Sequence, residues 1–306
     1  MKLLFTSHRA SGAYVMRGEQ IAARRSAWRA SLTPDRADLR RADALVVVKS
    51  ADDDVLRTAR EIGLPVIHDA LDFWPQVKSA LMPPSRAQRL RAAEDIGPAL
   101  FYRFRRLSPA LIICATDAMA RDLADYPAPK AVVRHHADPR LKPARAGLNG
   151  TAPRLLYFGK SVFLGEWNTR IARICQTLGA EFTPVDIGCG AWVPPPPASA
   201  MIAVRGGRDG SWLSRRWKSN VKAATAQALG LPFVAWPEAA YLETAPESYW
   251  FEDEASLTSA VSAALSPEAR RLSRRFTAED SAKELEAAVE RGLGGAFGMD
   301  KRALMV

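Results

Sequence analysis

A rhythm constrains this chain most. Short, continuous apolar runs alternate with helical stretches, first up to about residue 133 and again from residue 154. Residues 2–6, 44–48, 65–67, 110–114 and 131–133 form the first set of runs. Strands that are apolar at consecutive positions are covered on both faces, which is the environment of a parallel sheet between helix layers. Helices are expected over residues 17–30 and 52–62, the second ended by Gly63. Residues 139–153, with Pro139, Pro143, Gly147, Gly150 and Pro153, read as a linker. The cycle then repeats, with strands at 154–158, 181–185, 200–204, 232–235 and 249–251. Between and after them come helices at 168–178, 221–229, 254–264 and 278–291. The expected fold class is α/β, two Rossmann-like domains facing a cleft. Residues 1–145 and 146–275 would be the domains, and 276–306 a C-terminal helix packing back across both.

Composition removes other classes. Of 306 residues, 48% are hydrophobic and 25% charged, which excludes disordered and fibrous chains. Three cysteines are too few for a disulfide framework or a zinc cage and suit a reducing cytoplasm. No early apolar run is long enough for a signal peptide or a spanning helix. The net charge of +10 is uneven: residues 1–145 carry 25 Lys and Arg against 16 Asp and Glu, residues 146–306 carry 18 against 17. The basic half favours an anionic partner or a peripheral place on a membrane face. The basic and aromatic stretch 85–106 could serve nucleic acid, but no nucleic-acid module accompanies it.

The most informative stretch runs from Arg205 to Tyr241. Arg205-Gly206-Gly207 follows an expected strand: arginine binds phosphate in bidentate fashion, and the glycines let the backbone approach a ligand. Lys218, Asn220 and Lys222 are expected at one helix N-terminus, with Lys218 and Lys222 four apart on a shared face. Two ammonium groups beside free N–H donors and the positive end of a helix dipole suit a diphosphate. Gly230 ends that helix, and Glu238 follows the next strand, where a carboxylate could accept hydrogen bonds from sugar or ribose hydroxyls.

The spacings Lys-x-x-x-Lys, Ala-x-Ala-x-Gly-x-Pro and Pro-Glu-x-x-Tyr resemble the C-terminal donor domain of GT-B glycosyltransferases. The bacterial branch with a Lys-Pro-x-x-Lys signature in place of paired glutamates is the most similar. Gly159-Lys160, after the first strand of the second half, resembles that fold's glycine-rich loop. The resemblance covers about residues 153–245. Ser219 stands where that branch has proline, and Thr225 where other members have glutamate. The resemblance implies binding of a nucleotide-activated sugar, with donor roles for Gly159, Lys160, Arg205, Lys218, Asn220, Lys222 and Glu238.

In the first half, His8, Gly12, Tyr14 and Arg17 follow the first run and are candidates to line the cleft and hold an acceptor. His136, at the junction of the halves, joins them. A carboxylate or imidazole at a strand's end is placed to take a proton from an acceptor hydroxyl, so Asp69, His68 and Asp72 are the candidate bases. Asp52-Asp53-Asp54 resembles an Asp-x-Asp metal motif but reads as a helix first turn, where the dipole favours acid. No metal site and no cofactor are expected. The expected activity is metal-independent transfer of a sugar from a nucleotide sugar to a glycan or lipid-linked saccharide. A nucleotide-sugar binder without turnover and a basic nucleic-acid-binding protein are the alternatives.

Overall fold

A computed structural model describes residues 1–71, 104–143, 152–186, 194–206, 212–273 and 276–297. They fall into two compact units. The first contains residues 1–71, 104–134 and the helix Ala278–Phe297; the second contains the described part of 135–277. The chain passes from first to second between Arg134 and His135 and returns between Thr277 and Ala278.

In the first unit, β1 (Leu3–Thr6), β2 (Arg29–Ala30), β3 (Ala44–Val48), β4 (Val66–Asp69), β5 (Leu111–Cys114) and β6 (Lys130–Val132) form one sheet. Their order is β2-β1-β3-β4-β5-β6, and every pair is parallel. Alternate residues of the apolar runs serve opposite faces. Leu3, Phe5, Val46, Ile67, Leu111 and Ile113 pack with Leu285, Val289 and Leu293 of the final helix. Leu4, Leu45, Val47 and Val66 pack on the other side with Leu39, Leu56 and Leu107. Gly292 lets the final helix sit close, since a Cβ there would come within 2.9 Å of the Leu111 side chain.

In the second unit, β7 (Arg154–Phe158), β8 (Glu181–Val185), β9 (Ala200–Ala203), β10 (Phe233–Ala235) and β11 (Tyr249–Trp250) stand in the order β11-β10-β9-β7-β8, again all parallel. Leu155 and Tyr157 face the helix Trp167–Thr177, while Leu156 and Phe158 face the helix Val221–Leu229.

The sheet rhythm is the one expected, with two local corrections. Residues 17–30 are not one helix. A short helix, Gly12–Tyr14, runs into a wider π-turn, Val15–Gln20, and the chain then turns at 23–27 to add β2 to the edge of β1. Trp28 drives that exchange by burying its ring 5.7 Å from Phe5. Residues 218–222 are not one helix either: Trp212–Trp217 ends before Lys218, and a new helix starts at Val221.

Each sheet has one place where the chain reverses its direction of progress. The connection after β1 leads to one side and that after β3 to the other; β7 and β9 repeat the pattern. Ligands of open parallel sheets bind beyond the strand carboxyl ends at such switch points.

Candidate functional site

In the second unit, three strand ends and one helix start converge. Gly159 directly follows β7, Arg205 lies two residues beyond β9, Glu238 lies three beyond β10, and Lys222 is the second residue of the helix Val221–Leu229. Gly159 and Arg205 therefore flank the β7/β9 switch point. Arg205 Nε donates to Glu238 Oε2 at 3.4 Å and lies 3.2 Å from Oε1, and both side chains are almost fully buried. Burial works most strongly against the Arg205 charge, but Glu238, Tyr241 and Tyr157 together overcome it and hold the guanidinium protonated above its ordinary range.

Lys222 is 8% exposed, and its Nζ has no hydrogen-bond partner among the described residues. The ammonium lies 3.6 Å above the centre of the Tyr157 ring. Gly159 makes room for it: a Cβ there would stand 3.1 Å from Nζ and 3.4 Å from the Tyr157 hydroxyl. That hydroxyl donates to the Lys160 carbonyl at 3.2 Å. Burial, then repulsion from Arg205, pushes the Lys222 amine well below its ordinary range, against the pull of Glu238. A cation over an aromatic face gains about 0.5–2 kcal/mol. Removing an ammonium from water costs several. Tyr241, fully buried, has its phenol pushed well above the usual range by burial and then by Glu238. Beside this group, Arg215 stacks 4.2 Å from the centre of the Trp236 ring, and Trp236 meets Trp167 and Phe251 edge-on.

Of the expected donor residues, the structure thus gathers Gly159, Arg205, Lys222 and Glu238. Lys160 is exposed at the start of the short turn Ser161–Phe163. Lys218 lies beyond the end of the preceding helix, so it does not share a helix face with Lys222, and the paired-lysine geometry is corrected to one buried lysine. Asn220 caps the helix by position, but its amide grips the chain instead. Oδ1 accepts from His135 N at 2.8 Å and Nδ2 donates to His135 O at 3.0 Å. Gly206 is required by packing rather than by a ligand, because a Cβ there would sit 2.1 Å from the Leu164 carbonyl oxygen. Gly207 lies outside the described residues. Glu238 is tied to Arg205, an engagement its place after the strand does not announce.

The first unit treats its expected residues differently. Arg17 is not a surface residue: it is 1% exposed, and its Nε donates to Asp69 Oδ2 at 2.8 Å. Its Nη1 donates to the Val133 and Arg134 carbonyls. Asp69 is 3% exposed; its Oδ1 has no partner among the described residues. His68 is also buried. Its ring stands edge-on to Phe104, and Nε2 faces the Lys49 carbonyl at 3.1 Å, steadying a turn in which Lys49 takes a left-handed φ of 65°. Tyr14 is buried against Gly18, and burial with the nearby Glu19 pushes its phenol up to about 12. Gly12 opens its helix behind the Ser11 cap, and a Cβ there would touch nothing. His136 is fully buried in the second unit. Asp72 lies outside the described residues, as does most of the basic stretch 85–106.

His8, like Gly12, is a first-unit candidate left at the surface. It follows β1, donates its backbone N–H to Ser50 O beyond β3, and its Nδ1 forms a short contact with Asp52 Oδ1. Both side chains are substantially exposed. The pair flanks the β1/β3 switch point. Asp53 and Asp54 pair with Arg106 and Arg57, so the acidic run is spent on ion pairs. Asp52 is not among the residues the sequence nominates, since 44 positions separate it from His8. Tyr157 is not among them either, although an aromatic residue two before a glycine at a strand end is a usable signal.

No family model matches the chain, and no curated protein matches it. Solved structures do. An α,α-trehalose-phosphate synthase (UDP-forming) from Burkholderia xenovorans, in complex with glucose-6-phosphate, superposes with a TM-score of 0.56 at 12% identity, over 95% of this chain and 97% of that one. AviGT4, a glycosyltransferase involved in avilamycin A biosynthesis, gives 0.55 at 11% identity, over 96% and 99%. A putative UDP-N-acetylglucosamine 2-epimerase from Listeria monocytogenes gives 0.53 at 9%, over 99% and 98%. At these identities the likeness is one of architecture, and it shows that this chain has the GT-B glycosyltransferase fold, built from two Rossmann-like α/β units.

Proposed function

We propose that the protein is a glycosyltransferase that moves a sugar from a nucleotide sugar to a hydroxyl of a glycan or lipid-linked saccharide, without a metal. The observation that carries this reading is the buried Lys222 Nζ, unpartnered among the described residues at the β7/β9 switch point, with Arg205 beside it. A diphosphate supplies the acceptor oxygens that the amine lacks, and Lys222 and Arg205 stabilise the negative charge that grows on it as the bond to the sugar breaks. That is the task a metal performs elsewhere. Glu238 holds Arg205 in place rather than touching sugar.

The acceptor belongs to the basic first unit. There His8 is the better base. Asp69 is locked to Arg17, whereas His8 is exposed and oriented by Asp52, which stabilises the imidazolium formed when Nε2 takes the acceptor proton. The placement is peripheral on a cytoplasmic membrane face, drawn by the basic surface; among the described residues no helix is long and apolar enough to cross a membrane.

A panel of UDP-, GDP- and dTDP-sugars in thermal-shift titrations tests the reading, because a ligand of the native state raises its melting temperature by mass action. One donor class should raise it, Lys222→Met should abolish the shift, and the same donor should lose its sugar to a saccharide acceptor. A shift with neither transfer nor hydrolysis makes the chain a binder; isomerised donor makes it an epimerase. No shift from any donor refutes the site.

A further inference from the structure

We propose that the diphosphate pocket of the second unit is proton-gated: Lys222 is uncharged while the pocket is empty and takes up one proton as a diphosphate enters. This rests on the donor-site reading above and adds its regulation.

The geometry is that of a buried amine that rests on an aromatic ring and meets no hydrogen-bond acceptor among the described residues. Lys222 Nζ is sealed between the Tyr157 ring below and the Gly159 backbone beside it, with no acceptor among the described residues. Among the described residues the groups beside it come from three strands. Tyr157 comes from β7, Arg205 from beyond β9 and Glu238 from beyond β10; its own helix, Val221–Leu229, carries no other titratable side chain. Glu238 is the nearby carboxylate, and it is already engaged by Arg205, whose positive charge opposes a second cation. Arg215, held on Trp236, shares the same carboxylate field. Burial without an acceptor removes the proton from an amine, whereas an anion at the same place restores it. The direction of the Lys222 shift agrees.

Entry of a diphosphate is therefore balanced by one proton moving from solvent to Nζ. No bond to carbon or phosphorus changes. Affinity must fall as pH rises above the depressed value of the empty site, by up to about tenfold per unit, until the value in the complex is reached. The consequence for turnover is directional: diphosphate left behind after transfer rebinds more weakly on the alkaline side.

The test uses the full chain and two probes, UDP and inorganic pyrophosphate. Calorimetric titrations with UDP are run at about pH 8, where its terminal phosphate (second pKa about 6) is already ionised. Buffers of different ionisation enthalpy then report protons taken up on binding. We expect net proton uptake as UDP binds, and UDP affinity falling as pH rises above the depressed value of the empty site. Pyrophosphate, lacking the base, should show the same pH trend relative to its own titration. Lys222→Arg, which cannot lose its charge, should bind UDP with a flat pH profile and no uptake. The uptake measurement needs no variant, so a misfolded Lys222→Arg leaves it intact. UDP binding with no proton uptake overturns the inference and spares the donor site. Binding of neither probe overturns both.

Discussion

The two units repeat one topology and use it in opposite ways. Each puts its candidate chemistry at the carboxyl ends of the strands flanking its reversal, β1/β3 in one and β7/β9 in the other. In the second, the charged groups are sunk into the fold: Arg205, Glu238 and Lys222 are each at least about nine-tenths buried. In the first, Arg17 and Asp69, the last residue of β4, form a buried pair whose arginine clamps the Val133 and Arg134 carbonyls, while His8 and Asp52 stand at the surface. Burial strengthens electrostatics and fixes geometry, which suits holding a diphosphate. Exposure keeps a base wet and able to exchange its proton, which suits an acceptor side. A sheet reversal supplies a place; the degree of burial decides what it can do.

The sharpest way to break this contrast is at His8. Replacing it by alanine should lower transfer about 10²–10⁴-fold, the usual worth of a positioned acid–base group. Stability should change by no more than ~0.5 kcal/mol, since the side chain is exposed. Donor binding, read by thermal shift, should be untouched. Full activity in His8→Ala would return the base role to other residues.

Asp69→Ala should do the reverse. It strands Arg17 in the core without its carboxylate, and breaking one half of a buried ion pair costs about 3–5 kcal/mol. The midpoint of urea denaturation should drop accordingly. Because the cost comes from the orphaned cation, the double change Asp69→Leu with Arg17→Met should recover much of it. If Asp69→Ala proves as stable as the parent yet inactive, Asp69 is catalytic after all and the contrast between the units fails.

Gly159→Ala sharpens the second-unit side. Its Cβ would meet Nζ at 3.1 Å and Cε at 3.4 Å, so Lys222 must move off the Tyr157 ring. Crowding of this kind costs about 1–3 kcal/mol. Because the far end of a flexible side chain can yield, we expect most of it to appear in UDP affinity rather than in stability. Titration of the variant with UDP checks the split.

How much of this was legible beforehand follows from sequence distance. The sheets were legible because strands buried on both faces are apolar along their buried length, as in Ala44–Val48 and, after its leading arginine, Arg154–Phe158. The edge strand β2 was not, since two residues carry no period and its basis is the long-range Trp28–Phe5 contact. Gly159, Arg205 and Glu238 could be nominated because each stands just past a readable strand. Lys218 and Lys222 were placed together by assuming unbroken helix through Ser219-Asn220, where the chain instead bends so that Asn220 can hold His135. The pairs that decide the first unit, Arg17 with Asp69 and His8 with Asp52, are 52 and 44 positions apart. No local pattern announces them.

The smallest effect is also the most discriminating between a buried amine and a solvated one. The Lys222 amine is held below its ordinary range in the folded chain, but it is an ordinary lysine when unfolded. Between those two values the unfolded state binds the extra proton, so stability rises with pH. Below the folded value both states are charged and the full penalty of burying the ammonium is felt. The slope cannot exceed about 1.4 kcal/mol per pH unit for one group. Cys114 and Cys175, whose thiols burial pushes up to about 12 and about 11, act in the opposite sense once unfolded thiols ionise. They are common to parent and variant, so the difference between the parent and Lys222→Met isolates the lysine. Urea denaturation of both, carried up toward the ordinary lysine range without nucleotide, should show the parent gaining on the variant as pH rises, and adding UDP should flatten that gain. Parallel curves would mean that Lys222 is solvated and charged, and the second unit would then differ from the first only in degree.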